Sequence, residues 1–162
     1  MFSRQISRRV VGALGAVSLL ALTACAPTIS TQPGPYATDP LCAQVVLSLP
    51  KTVLGQDRAK ITAQTTAAWG KPGAAIVLTC GVEPPIPTTK DCQSITTPVF
   101  GTPVVFDWIS TEDDAGWTFT SYGRDPAVMV QVPHSLESTQ PTGALVDIAG
   151  SVAYVEATHA CQ

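Results

Sequence analysis

TPVVFDWISTEDDAGWTFTSYGRDPAVMVQV, residues 102–132, is the stretch whose reading decides the fold. Residues 102–109 are β-branched and aromatic, with Pro103 at the entry where a lost donor is tolerated, so they read as a strand. Residues 112–116 form an acidic turn. Trp117, Phe119 and Ser121 then alternate with Thr118, Thr120 and Tyr122, and beyond the turn at 123–126 Val128, Val130 and Val132 share one face at period two. Every connection is too short for a parallel crossover, which makes this an antiparallel meander.

Upstream, residues 75–80 are a short apolar run between Gly73 and Gly81 that does not alternate, the pattern of a strand buried on both faces. Residues 51–67 read mostly as loop, with a helical turn near 63–68. Before them Asp39 and Pro40 mark a helix start, a capping carboxylate followed by a proline whose missing N–H costs nothing in the first turn. Leu41, Cys42, Val45, Val46 and Leu49 fall on one stripe of that helix, and Pro50 stops it. Downstream, Pro133 ends the last strand, and a second helix begins near Pro141 with Leu145, Ile148, Ala149, Val152 and Val155 recurring at three and four. The expectation is a single small α+β domain over residues 41–162. An antiparallel sheet of about four strands would carry an N-terminal and a C-terminal helix on one face.

The N-terminus assigns a compartment. Arg4, Arg8 and Arg9 precede an apolar run of about 13 residues, 10–22, well short of the roughly 20 that a spanning helix needs. Leu22, Thr23, Ala24 and Cys25 then form a lipobox. The expected organisation is a signal peptide at 1–24, a lipidated Cys25 at the head of a flexible Pro-rich tether over 25–40, and the folded domain beyond. It places the protein at the cell membrane, on the extracytoplasmic side, held by a lipid anchor. The alternative is an ordinary secretory signal with a chance cysteine. Residues 7–11 also resemble the start of a twin-arginine signal, so the export route stays open.

Removing residues 1–24 from the 162 leaves 138, enough for one domain. It also removes three arginines, leaving six basic side chains against twelve acidic ones. That balance argues against nucleic acid and against electrostatic adhesion to anionic lipid, both of which want a basic face. Four cysteines besides Cys25 suit two disulfides in an oxidising compartment, with three possible pairings. Cys80 with Cys92 and Cys42 with Cys161 are favoured: the first closes a proline-rich loop, the second joins domain ends that often lie close together.

Trp69, Gly70 and Pro72, then Leu78, Cys80, Gly81 and Val82, Cys92, Asp107 and Trp108, Trp117, Gly123, Arg124, Pro126, Val128, Val130 and Pro133, followed by a helix and a terminal cysteine, carry a family likeness. The chain resembles the "domain of unknown function 3515" family of actinobacterial lipoproteins, over about residues 41–161. The resemblance implies an exported, membrane-anchored envelope protein, usually with this cysteine arrangement. It brings no activity, substrate or catalytic residue.

No Gly-x-Ser-x-Gly, His-Glu-x-x-His, Walker or EF-hand motif occurs, so no catalytic residue, metal site or cofactor is assigned. The candidate ligand or partner surface consists of Arg124 with Trp69, Trp108 and Trp117, the last three as a stacking platform. The bland readings are an arginine pinning its own turn through Asp125, Asp107 or a carbonyl, and tryptophans packed in the core. Glu112, Asp113 and Asp114 offer oxygens to calcium but equally suit a solvated turn. His134 and His159 read as surface residues. The expected function is a non-catalytic module that binds an unknown envelope protein or component. The alternative is an envelope-acting enzyme with an unrecognised site around Arg124, Asp107 and His134.

Overall fold

Asp39 begins the first helix as its residue type dictates. In the computed structural model, which describes residues 27–87, 91–136 and 140–161, its carboxylate accepts from the Leu41 N–H at 2.8 Å and caps α1 (Pro40–Ser48). Cys42, Val45 and Leu49 of the expected stripe are buried, with Leu41 and Val46 packed at their margin.

Four two-residue strands, β1 (Thr28–Ile29), β2 (Thr52–Val53), β3 (Gln56–Asp57) and β4 (Lys60–Ile61), surround a larger sheet. That sheet comprises β5 (Thr66–Lys71), β6 (Ala74–Val82), β7 (Cys92–Val99), β8 (Thr102–Asp113), β9 (Gly116–Ser121) and β10 (Ala127–Pro133). Its order is β5-β6-β10-β9-β8-β7, with every neighbouring pair antiparallel. The meander of residues 102–132 thus lies inside the sheet as β8, β9 and β10.

The α+β class and the two helices hold, but the sheet has six strands where about four were expected. Both additions escape local reading. The helical turn expected near residues 63–68 is strand from Thr66 on, because the Thr and Ala mixture has weak preference either way and pairing with β6 in the register Trp69↔Ile76 decides. The other addition, β7, pairs with β8 across Phe100 and Gly101, both at positive φ (50° and 85°), the twist that a two-residue hairpin turn requires.

α1 and α2 (Gly143–Val152) pack together on one face of the sheet. Trp69, Ile76, Leu78, Phe106, Trp108, Phe119 and Val130 rise from the strands to meet Val45, Leu145, Ile148 and Val152. Fully burying each such side chain contributes roughly 1.5–3 kcal/mol before conformational entropy is counted. In β6 only Ile76, Leu78 and Cys80 face this core. On the other side Ala75 and Val77 are partly buried and Thr79 is buried, so that strand is enclosed on both faces only toward its Cys80 end.

From Pro27 on, the segment expected as a tether is hydrogen-bonded to the body. β1 pairs in parallel with β4, Ile29 is buried, and the Tyr36 N–H donates to the Gly81 carbonyl at 2.8 Å. Gly81 has φ 84°, and a Cβ there would meet the Tyr36 backbone at 2.6 Å, so glycine is what lets the segment lie down. Cys25 and the expected signal peptide lie outside the described residues.

The disulfides are Cys42–Cys80, with Cα atoms 5.4 Å apart, and Cys92–Cys161, with Cα atoms 6.3 Å apart. This corrects the favoured pairing of Cys80 with Cys92 and Cys42 with Cys161. Strand order is the reason: β6 and β7 are four positions apart, about 19 Å at ~4.8 Å per strand, far beyond the reach of a disulfide. Cys80 faces the core and meets α1, whereas Cys92 on the far edge meets the returning C-terminal tail.

Candidate functional site

Arg124 sits in the turn between β9 and β10, only 4 % exposed. Its guanidinium lies 4.6 Å from the centroid of the Phe106 ring and donates to the Val155 carbonyl and, at 3.5 Å, to the Val105 carbonyl. Burial pulls its pKa below the ordinary arginine value, and the nearby Asp107 carboxylate opposes that shift. Asp107, 7 % exposed, accepts from Ser94 Oγ and from the Cys161 N–H at 2.9 Å. Arg124 and Asp107 therefore fasten the C-terminal tail, and the turn-pinning reading of Arg124 wins over the surface reading. Gly123 completes the fastening at φ 72°. Its carbonyl accepts from the Thr158 N–H at 2.7 Å, and a Cβ would collide with the His159 carbonyl.

The stacking platform does not form. Trp69 is fully buried with Nε1 donating to the Pro50 carbonyl at 3.1 Å, and Trp108 is 1 % exposed. Trp117 alone is partly open. It stacks on Phe119 at 6.0 Å between centroids and, with Asp113, Gln131 and Pro133, lines a shallow cleft of about 200 Å³ at the strand ends.

The proposed enzymatic trio also comes apart. His134 is held at the Asp113 end of β8, its Nε2 donating to the Asp113 carbonyl at 2.8 Å, whereas Asp107 lies in the middle of that strand. Six residues of strand separate Asp107 from Asp113, about 20 Å at ~3.3 Å each. Asp113 uses its carboxylate within the turn, accepting from the Ala115 N–H at 2.8 Å and the Gly116 N–H at 3.1 Å. His159, exposed, lies edge-on to Tyr122 at 5.9 Å between rings.

A second arginine, which sequence reasoning passed over, is arranged differently. Arg58 is exposed, lies 6.0 Å from the Trp69 ring centroid and donates to the Val46 carbonyl at 3.2 Å and the Leu49 carbonyl at 3.4 Å. With Lys60, Lys71, Asp57, Pro27 and Pro72 it lines a cleft of about 500 Å³. Lys51 adjoins it, its carbonyl accepting from the Arg58 N–H at 2.8 Å. The available signal was positional: four of the six basic residues after the signal fall between 51 and 71.

No helix among the described residues is long and apolar enough to cross a membrane, and none of their His, Cys, Asp and Glu side chains form a group of three placed for a metal ion. Fold and site together define a disulfide-stapled α+β domain whose polar constellations are mostly internal fastenings. The family model for "Protein of unknown function (DUF3515)" matches residues 9–160, and the chain belongs to that family. No curated protein and no solved structure matches it.

Proposed function

We propose that this is an extracytoplasmic lipoprotein, anchored through acyl chains on Cys25, whose folded body works by binding an envelope protein or component and carries no chemistry of its own. The observation that carries the reading is the lipobox Leu22-Thr23-Ala24-Cys25 behind an apolar run too short to span a bilayer. Each buried methylene of such a chain is worth about 0.8 kcal/mol, so two or more long chains hold a protein at the membrane. Support for binding over catalysis comes from the commitments of the reactive groups. Arg124, Asp107 and Asp113 all hold turns or the tail.

Mass spectrometry of the protein isolated from membranes tests the anchor. The expected N-terminal peptide begins at Cys25 with an acyl-bearing thioether, and Cys25→Ser moves the protein out of the detergent-soluble lipid fraction. An unmodified residue 25 in the native product overturns the anchor. Cross-linking in intact cells followed by pull-down is expected to recover an envelope partner, and repeated recovery of none overturns the binding role.

A further inference from the structure

We infer that the Arg58 cleft is the face on which the body rests against anionic phospholipid headgroups, an inference that rests on the acylation of Cys25. Five basic side chains are described: Lys51, Arg58, Lys60, Lys71 and Arg124. Arg124 is buried, so all the exposed positive charge among the described residues gathers on the edge formed by β2, β3, β4 and the end of β5. A net acidic composition conceals this edge.

Two geometrical facts say what covers it. Pro27 itself lines the cleft, and Cys25 is two residues earlier, at most about 7 Å away in a fully extended chain. An acylated residue at the bilayer surface therefore brings the cleft to the headgroups and leaves little length to hold the body off. The second fact is charge complementarity. Asp57 in the cleft and Asp147, which accepts from the Leu54 N–H at 2.8 Å on the rim, leave the edge positive. The acidic residues Glu112 and Asp113 sit on β8, four strand spacings from β5, about 19 Å and more than twice the ~8 Å screening length of physiological salt. Anionic lipid thus meets the basic edge while the acidic corner is screened from it.

The test uses the anchored protein as extracted from membranes, reconstituted on vesicles of phosphatidylcholine alone or with about a third phosphatidylglycerol. A water-soluble amine reagent labels lysines, and peptide mass spectrometry reads the rates. Labelling of Lys51, Lys60 and Lys71 is expected to slow about fivefold or more on phosphatidylglycerol vesicles, the factor that an attraction of about 1 kcal/mol per basic residue implies, and to recover in 1 M salt, roughly a 3 Å screening length. Equal rates on the two vesicle types overturn the docking face. Protection by millimolar inorganic phosphate in detergent also overturns it, because the cleft is then a small-anion site. The same digest separates this inference from the one beneath it. A Cys25 peptide without acyl mass overturns both, whereas acylated protein with unprotected lysines overturns only the docking face.

Discussion

Arg58 and Arg124 are two solutions to placing a guanidinium beside an aromatic ring, and they sit at opposite regions of the molecule. Arg58, in the N-terminal region, lies over Trp69 and touches two carbonyls while remaining exposed. Arg124, in the C-terminal region, lies over Phe106, is 4 % exposed and holds a carbonyl of the tail with Asp107 close by. The desolvation of a buried cation is compensated only by close partners, so Arg124 is fixed, whereas Arg58 keeps its charge available to a ligand. Each region also closes on itself, with Cys42–Cys80 securing α1 to β6 and Cys92–Cys161 securing the tail to β7. The two are joined through the pairing of β6 with β10.

The largest effect expected from breaking this arrangement comes from the sulfurs. Replacing both Cys92 and Cys161 by Ser should lower unfolding free energy by about 4 kcal/mol on the chain-entropy model, given a sequence separation of 69. Replacing Cys42 and Cys80, separated by 38, should cost slightly less. Denaturant unfolding under non-reducing conditions measures both, and a loss confined to one pair would mean that only one region depends on its staple.

The arginines come next. Arg124→Met should cost about 3 kcal/mol, because it leaves Asp107 buried beside unpaired carbonyls, while Arg58→Met should stay within about 0.5 kcal/mol, as exposed contacts usually do. Equal losses in chemical denaturation would erase the distinction between the two. Gly123→Ala is a narrower probe of the same region. A left-handed residue driven into the His159 carbonyl should cost about 2 kcal/mol, and an unchanged melting transition would show that the tail does not bear on that turn.

The smallest effect separates the helices. Asp39→Ala removes the cap of α1 and should cost about 1 kcal/mol, whereas Thr142→Ala at the start of α2, where the side chain makes no capping bond, should be nearly neutral. Thermal unfolding of the two variants side by side measures the difference.

The features legible in advance were those written within a few residues of one another. Asp39 with Pro40, the three-and-four spacing of Leu145, Ile148, Ala149 and Val152, and the alternation over residues 117–132 each declared an element, because a cap, a helical stripe and a pleat are local geometries, although Val155, expected on the same stripe, lies beyond the end of α2. β5 was not legible, since Ala67 and Ala68 favour no structure strongly and only Trp69 entering the core across from Ile76 makes the strand. The site followed the same division. Arg124 stood out for its setting in a Gly-Arg-Asp-Pro turn, yet nothing in that setting revealed that Val155 and Phe106 would enclose it.

The amino-acid order by itself determined the α+β class, the two helices, the central meander, the family likeness and the presence of four cysteines suited to two disulfides. Only the tertiary structure decided which sulfurs meet, which arginine stays open and that the positive charge collects on one edge. Those outcomes depend on strand order, and strand order brings together residues whose separation along the chain carries no record of their distance in space.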